Sequence, residues 1–388
     1  MVIKPMIRNN ICMNAHPEGA KALVKEQIEY VQRQDSFEGP KRVLLIGGST
    51  GYGLATRIAA TYGSGAGTLN IAYESPAKGK RTGTIGWYNS HAFESYAKAD
   101  GYVAESLFGD AFSHELKEKS VERIRELFGT VDLVVYSLAS GVRVDPDTGE
   151  RYTSVLKPIG KPYVAKSIDA KEGAIRDVRV EPAGDEEIER TVKVMGGEDW
   201  QLWIERLIEA GVLADGAMTV AYSYIGPDIT RPLYRDGTIG KAKEHLEATA
   251  QQLAGRLSSI GGDAFVSINK AIVTRASAVI PVVSLYLSIL YRVMKEKGLH
   301  EDAIQQMYRL LRERLYGSGD VPVDEARRIR VDDWEMREDV QAEVSRIWEA
   351  VSDENVEEIA DVEGLRRDFL QIHGFGFDNV DYDEDVEP

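Results

Sequence analysis

The sequence predicts an α/β fold built on a doubly wound parallel sheet, and two observations carry that expectation. Short apolar runs recur at residues 43–46, 68–74, 102–111, 131–140, 218–224 and 263–270, mostly with helical spacing between them. Strands alternating with helices build a parallel sheet. The first run leads straight into Gly47-Gly-Ser-Thr-Gly-Tyr-Gly53 and then a helix beginning Leu54-Ala-Thr-Arg-Ile-Ala-Ala60. Strand, glycine turn, helix is the order a dinucleotide site needs. Glycines let the backbone approach a pyrophosphate, and the unpaired N–H groups of the helix N-terminus face its charge. The expected sheet is therefore Rossmann-like.

The elements follow in order. Residues 20–34 place Ala20, Leu23, Val24, Ile28 and Val31 on one helical face, ready to pack on the nucleotide half. The spacing Gly47-x3-Gly51-x-Gly53 is closer to the short-chain-reductase variant than to strict G-x-G-x-x-G. The second strand, residues 68–74, ends in Glu74. An acid at this strand end accepts hydrogen bonds from the adenosine ribose hydroxyls and repels a 2′-phosphate, so Glu74 argues for NADH over NADPH. The glycine-rich loop Gly63-Ser-Gly-Ala-Gly67 explains why it lies somewhat more than the usual ~20 residues beyond Gly47. Residues 102–111 are the third strand and its exit, with Asp110 and Ala111 where adenine would lie, and a helix follows near 113–128. Val131-Asp-Leu-Val-Val-Tyr-Ser-Leu-Ala-Ser140 is a central strand running into small residues, which leave room for a ligand at a strand's C-terminal end.

Residues 141–192 break the βα rhythm with proline, glycine and charge, and are expected to be an insertion of short strands or loops. A helix then carries the stripe Trp200, Trp203, Ile204, Leu207 and Ile208, a core face. A strand at 218–224, a helix at 241–257 and a strand at 263–270 follow. A mostly apolar helix spans 278–297 and an amphipathic one 301–316, while 320–388 alternates charged helices and turns as a terminal cap. Ile280, Leu285, Ile289 and Tyr291 either line an acyl groove or are simply core.

Composition sets the class. The chain has 388 residues, 43% of them hydrophobic and 28% charged, ordinary for a globular protein able to bury a full core. A net charge of −16 argues against a nucleic-acid surface, and the acidic stretch 378–387 reads as a solvated, mobile end. The single cysteine, Cys12, rules out an internal disulfide framework and fits a reducing cytoplasm. Met1-Val-Ile-Lys-Pro lacks the apolar core of a leader, and the most apolar run, 278–291, is short and contains Pro281, so no stable membrane insertion is expected. Six scattered histidines form no ligand cluster, and no metal is expected.

The reaction centre is expected in Tyr224-Ile-Gly-Pro-Asp-Ile-Thr-Arg-Pro-Leu-Tyr-Arg-Asp-Gly-Thr-Ile-Gly-Lys-Ala-Lys243. Short-chain reductases use a tyrosine and a lysine four apart on one helix. Tyr234 and Lys243 are nine apart, which on a continuous helix puts them on opposite faces. If they cooperate, Tyr234 must sit in the preceding loop and Lys243 in the first turns of the helix, with Gly237 and Gly240 supplying the break. Lys241 also lies at that helix start, and spacing does not choose between the two lysines.

The pair Tyr234-x8-Lys243 resembles that of the FabV-type enoyl-acyl-carrier-protein (ACP) reductases and the bacterial trans-2-enoyl-CoA reductases, two branches of one family. The likeness extends over nearly the whole chain, through Gly47-Gly-Ser-Thr-Gly-Tyr-Gly53, Gly86-Trp-Tyr-Asn89, Tyr136-Ser-Leu-Ala-Ser140, Lys193-Val-Met-Gly-Gly-Glu-Asp-Trp200 and Val266-Ser-Ile-Asn-Lys-Ala-Ile-Val-Thr274. Gly141 departs from it, standing where the family has proline. The resemblance implies an extended short-chain-reductase type of sheet with an inserted segment and apolar lid helices over the nicotinamide end. It implies NADH-dependent reduction of the C2–C3 double bond of a trans-2-enoyl thioester, as in fatty-acid elongation or butyryl-CoA-type synthesis. By resemblance Tyr234 is the catalytic tyrosine, Tyr224 contacts the substrate thioester, and Lys243 holds the cofactor. Gly47, Gly48, Ser49, Thr50, Gly51, Tyr52, Tyr73, Glu74, Asp110, Ala111, Leu138, Ala139, Ile272, Val273 and Thr274 line the rest of the NADH site. One domain over 1–388 is expected: an extension (1–40), an NADH-binding half (41–140), the insertion and helix (141–215), a catalytic segment with lid (216–300) and a helical cap (301–388).

The chemistry has its own logic. Hydride arriving at the β-carbon creates an enolate, and a tyrosine O–H aimed at the thioester oxygen stabilises charge present mainly in the transition state. An ammonium such as Lys243 nearby would lower the tyrosine pKa and bind ribose or phosphate oxygens. The proton donor to the α-carbon is not readable. The carrier is coenzyme A or ACP. Acidic ACP would need basic partners, for which Lys157, Lys161, Arg275 and Arg292 are available. A carbonyl reductase of the short-chain class is the alternative, disfavoured by the nine-residue separation, and an idle NADH-binding sensor is disfavoured by the intact pair. Oligomeric state is not readable; a monomer suffices.

Overall fold

The computed structural model describes residues 1–8, 11–168, 174–275, 277, 280 and 282–387. Seven strands, β1 (Arg42–Ile46), β2 (Gly67–Ala72), β3 (Ala104–Phe108), β4 (Val131–Tyr136), β5 (Leu213–Ser223), β6 (Asp263–Ile268) and β7 (Arg328–Arg330), form one sheet. Their order is β3-β2-β1-β4-β5-β6-β7, with every neighbouring pair parallel. The direction of winding reverses between β1 and β4. Ligands of open α/β sheets bind at such a switch point, outside the carboxyl ends of the strands.

Alternation along β1 builds both layers. Val43 and Leu45 join a core with α1 (Pro17–Gln32), α2 (Gly51–Ser64), α3 (Ile85–Ala99) and α9 (Ala303–Arg309), whose last turn widens into a π-helical segment, Leu310–Leu315. Leu44 and Ile46 face the opposite core, made with α4 (His114–Leu127), α6 (Glu198–Glu209) and α7 (Thr238–Leu257). Strands buried on both faces read as continuous apolar runs, as β1 does. The stripe Trp200, Trp203, Ile204 and Leu207 is fully buried here. A third core gathers α8 (Val283–Glu296), α10 (Glu338–Ala350), α11 (Val356–Ile359) and α12 (Val362–Gln371) beside the ends of β5 and β6.

Several expectations change. The insertion holds two hairpins, Val142–Val144 with Arg151–Thr153 and Tyr163–Ile168 with Ile175–Val180, but ends in a helix, α5 (Asp185–Met195). Helix α3 and strand β7 were not anticipated either. The expected start of the apolar helix, Ala278 with Pro281, lies outside the described residues, and α8 begins at Val283. Leu285, Ile289 and Tyr291 are fully buried core, not a groove wall. The acidic end is largely exposed, as expected, and also touches the start of the chain: the Met1 amino group donates to the Val386 carbonyl (2.7 Å) and Lys4 pairs with Asp383 (2.6 Å). Among the described residues no helix is long and apolar enough to cross a membrane, and no metal-holding cluster forms.

Candidate active site

The cofactor half is built on backbone. Gly47 leaves β1 at φ 95°, and a Cβ there would lie 2.4 Å from the Ser137 carbonyl oxygen, so only glycine lets the ends of β1 and β4 meet. The Gly48 N–H donates to Asn70 Oδ1 (2.8 Å), and Asn70, buried in β2, donates onward to Ser106 Oγ (3.2 Å). Helix α2 opens at Gly51 after Thr50, whose side chain makes no cap bond, leaving the first-turn N–H groups for an anion. Leu138 (half-buried) and Ala139 (exposed) follow β4 across from this turn.

Glu74 stands two residues past β2 and folds inward, its side chain only 6% exposed. Its Oε1 accepts from Ser49 Oγ (2.8 Å) and lies 3.6 Å from Arg275 Nη1, while Oε2 is buried with no hydrogen-bond partner among the described residues. A buried carboxylate oxygen without a donor is what a ribose hydroxyl would satisfy. Asn89 on α3 donates to the Ser49 carbonyl (3.1 Å) and fixes the turn from below. Tyr73 is 82% exposed on the rim.

At the next strand exit, Asp110 Oδ1 accepts from the Phe112 N–H (3.0 Å), turning the chain into α4. Beneath it Lys117, fully buried, donates to the carbonyls of Ala111 (3.1 Å) and Phe112 (2.9 Å) and to Asp199 (2.7 Å), which also accepts from the Tyr136 hydroxyl (3.1 Å). Burial pushes the Lys117 pKa down and the Asp199 pKa up, each opposed by the other's charge.

The segment after β6 closes over α2. The Thr274 methyl lies 3.7 Å from where a Cβ on Gly51 would sit. The Val273 N–H donates to the Tyr291 hydroxyl (3.2 Å), and Ile272 is buried. Tyr52 turns inward: its hydroxyl donates to the Lys270 carbonyl and its ring meets Tyr222 edge-on. Gly141 has open space around its Cβ position, so nothing steric demands glycine there.

The reactive half lies beyond β5. Tyr224 follows the last strand residue, and Tyr234 sits in the irregular loop before α7. A Cβ on Gly240 would lie 2.0 Å from the Arg235 carbonyl oxygen, so the loop folds back onto the helix start as the spacing required. The two rings meet edge to face, centroids 4.9 Å apart at 87°. Tyr234 is 7% exposed, and its hydroxyl forms no hydrogen bond to any described residue. Lys243 points inward, donating to the Tyr222 carbonyl (3.3 Å), whereas Lys241 points outward to Glu244 (2.9 Å). Burial holds the Lys243 ammonium down to about 8, with Glu247 acting the other way. The expected lowering of Tyr234 by Lys243 does not occur. Burial first, then the charge of Glu335, raises the tyrosine pKa and keeps it a donor.

Glu335 was missed. It is fully buried between β7 and α10, accepting from Tyr286 (2.6 Å) and Tyr224 (3.0 Å) hydroxyls on Oε1 and from the Ala271 N–H (2.7 Å) on Oε2. No local pattern marked it, because its partners come from three other parts of the chain. Of the basic candidates for docking a carrier, Lys157 pairs with Glu187 (2.6 Å), Arg275 with Glu74 (3.6 Å) and Arg292 with Glu296 (2.5 Å); Lys161 is exposed.

Comparison with known proteins identifies the family. Residues 81–316 match the trans-2-enoyl-CoA reductase catalytic region, residues 2–79 the NAD(P)H binding domain of trans-2-enoyl-CoA reductase, and residues 323–386 the enoyl reductase FAD binding domain. The enoyl-acyl-carrier-protein reductase (NADH) of Flavobacterium johnsoniae is 51% identical over 386 residues, covering 100% of this chain and 98% of its own. The trans-2-enoyl-CoA reductase (NADH) of Ruminiclostridium cellulolyticum is 51% identical over 387 residues, covering 100% and 98%. Among solved structures, Treponema denticola trans-2-enoyl-CoA reductase in complex with NAD superposes with a TM-score of 0.95 at 51% identity, covering 100% of this chain and 98% of the other. The chain described as "Clostridium acetobutulicum trans-2-enoyl-CoA reductase in complex with NADH" gives 0.98 at 45% identity with the same coverage.

A flavin does not fit residues 323–386. The helix N-termini that could take its pyrophosphate carry their own acids: Glu338 and Asp339 on α10, Glu357 and Glu358 on α11, and Asp361, which accepts from the Gly364 N–H (2.9 Å), on α12. The inward faces of α10 and α12 are packed with Val340, Val344, Ile347 and Leu365. NADH does fit, at the glycine turn and the unpartnered Glu74 oxygen.

Proposed function

The chain belongs to the trans-2-enoyl-CoA reductase family, and we propose the site residues and mechanism by which it reduces the C2–C3 double bond of trans-2-enoyl thioesters with NADH. NADH supplies the hydride. The turn from Gly47 to Gly51 takes the pyrophosphate, Glu74 the adenosine ribose, and Lys243 the ribose or phosphate oxygens near the nicotinamide. Asp110 and Ala111 flank adenine, and Leu138, Ala139, Ile272, Val273 and Thr274 border the rest.

The observation that carries the reactive assignment is the Tyr234 hydroxyl. The Tyr234 ring is nearly buried while its O–H, unpaired with any described residue, still reaches the surface, so it is a donor open to a ligand. As the hydride reaches the β-carbon, charge develops on the thioester oxygen, and Tyr234 donates to it. Because burial raises its pKa, Tyr234 keeps its proton through neutral pH and acts by hydrogen bonding. Tyr224, against the Tyr234 ring, contacts the same thioester. The single half-buried free thiol, Cys12, supports a cytoplasmic location.

The test is NADH oxidation with crotonyl-CoA, a longer 2-enoyl-CoA and the matching enoyl-ACP, for wild type and Tyr234→Phe. Loss of one oxyanion donor lowers kcat by roughly 10²–10³. No protein hydrogen bond is lost, so the melting temperature stays within about 1 K, given ~0.8 kcal/mol/K for a chain of this length. A kcat within about fivefold of wild type refutes the assignment of Tyr234. The substrate ranking identifies the carrier.

A further inference from the structure

The donors around Glu335 can be counted. Gln341 Nε2 donates to the Tyr286 oxygen (3.2 Å), so the one phenolic proton of Tyr286 goes to Glu335 Oε1. The Ala271 N–H occupies Oε2. Tyr224 also has a single proton. With Glu335 ionised, that proton too points at Oε1, and none remains for a thioester. With Glu335 protonated, the carboxyl O–H donates to the Tyr224 oxygen, and the Tyr224 proton turns toward the ligand. The protonation state of one buried side chain therefore decides what Tyr224 offers its substrate.

We propose that Glu335 is a positioning residue that holds the proton delivered to the substrate through Tyr224. The proposal rests on the enoyl-reductase reading and on Tyr224 contacting the thioester. Once hydride has reached the β-carbon, the π electrons of C2=C3 lie in the enolate. The α-carbon then forms a C–H bond with the Tyr224 proton. The Tyr224 O–H breaks and re-forms with the proton of Glu335, whose O–H breaks in turn. The products are the saturated thioester, NAD⁺ and the Glu335 carboxylate, and water returns one proton before the next turnover. The consumption of one NADH and one H⁺ balances.

The surroundings suit both states. The carboxylate is met by the Tyr286 hydroxyl, the Ala271 N–H and the charge of Lys270, which is itself buried and donates to the Ala271 carbonyl (2.9 Å). The other ionisable groups facing it are Tyr52 from α2, Tyr224, Tyr234 and Asp332. Burial raises the Glu335 pKa, the direction a proton reservoir needs.

The experiment follows kcat for crotonyl-CoA reduction against pH in the full chain, for wild type, Glu335→Gln and Tyr286→Phe, with NADH affinity measured alongside. In Glu335→Gln the amide oxygen accepts from the Ala271 N–H while its NH₂ donates to Tyr224, as the protonated acid does, yet it has no proton to transfer. Expected are a wild-type kcat that falls on the alkaline side and, in Glu335→Gln, an unchanged KM, a kcat lower by about 10² and no such fall. Tyr286→Phe removes one donor to the carboxylate and moves that fall about one pH unit higher. A Glu335→Gln enzyme within threefold of wild-type kcat, with the alkaline fall intact, overturns the relay. So does an unmoved fall in Tyr286→Phe, which decides the matter if Glu335→Gln does not fold. Wild-type turnover in these cases leaves the reductase reading standing. No wild-type turnover on crotonyl-CoA or on enoyl-ACP overturns that reading and the relay with it.

Discussion

Replacing Glu74 by alanine tests the cofactor half with a magnitude the structure supplies. The carboxylate is nearly buried, tied to Ser49 at 2.8 Å and near Arg275 at 3.6 Å, and its free Oε2 is the proposed ribose acceptor. A hydrogen bond to a charged group contributes about 1.5–3 kcal/mol, so NADH affinity should fall roughly 10- to 100-fold. For NADPH the sign reverses. A 2′-phosphate about 4 Å from the carboxylate meets ~4 kcal/mol of repulsion per charge at an effective dielectric near 20, partly offset by Arg275. Removing Glu74 removes that repulsion and frees Arg275, which is half-exposed, to pair with the phosphate. The ratio of kcat/KM for NADH over NADPH should therefore fall by at least about 10². The variant should lose no more than about 1–2 kcal/mol of stability, because losing the Ser49 hydrogen bond is partly offset by removing a buried acceptor without a donor. The assay is steady-state oxidation of each cofactor at saturating crotonyl-CoA. A ratio within threefold of wild type refutes the assignment of Glu74.

Two further outcomes follow from buried charge. Before cofactor arrives, the Lys243 pKa lies near 8, below its ordinary value, so its charge is present below that pH and lost above it. Phosphate contact favours the ammonium, and the Kd for NADH should be flat below pH 8 and rise above it, approaching about tenfold per unit. Fluorescence titration from pH 7 to 10 checks this, with Lys243→Met expected to bind weakly and without that slope. The Lys117–Asp199 pair is buried on both sides, and Asp199→Ala strands the ammonium at a cost of about 3–5 kcal/mol. That lowers the melting temperature by roughly 4–6 K, and Lys117→Met with Asp199→Leu should recover more than half of it. A single variant melting within 1 K of wild type refutes the account.

What the sequence disclosed follows the range of the interactions. The glycine turn, the strand-end acid and the break before α7 are local: Gly47, Glu74 and Gly240 sit beside the elements they serve, and each was readable from its neighbours. Helix α3 carried a usable signal, since Ile85, Asn89, Ala92, Phe93 and Ala97 make its buried face, but the polar Asn89 and the leading glycine obscured the period. Helix α5 buries only Thr191 and Val194, so its apolar stripe is too thin to announce itself, although its acidic first turn is a start signal. Strand β7 has three residues, two of them arginines, at the sheet edge. The acidic end is exposed, as its composition suggests, but its contacts with Met1 and Lys4 could not be read because those partners lie at the far end of the chain.

The reactive half was the least legible for the same reason. Tyr224, Ala271, Tyr286 and Glu335 are separated by up to 111 residues, yet all converge on one carboxylate. Sequence offers Glu335 as one more acid in a charged stretch, and only the packing of α8 and α10 against the ends of β5 and β6 strips it of water. Burial then converts an ordinary glutamate into a group whose proton depends on three donors and a lysine. The proposed cofactor site draws on the glycine turn and on side chains close to the sheet, whereas the proposed proton chemistry requires residues that the sheet itself does not contain. On the proposed relay, residues 320–388 contribute to the reaction centre, because the segment after β7 carries Glu335, the acid that accepts from the Tyr224 hydroxyl.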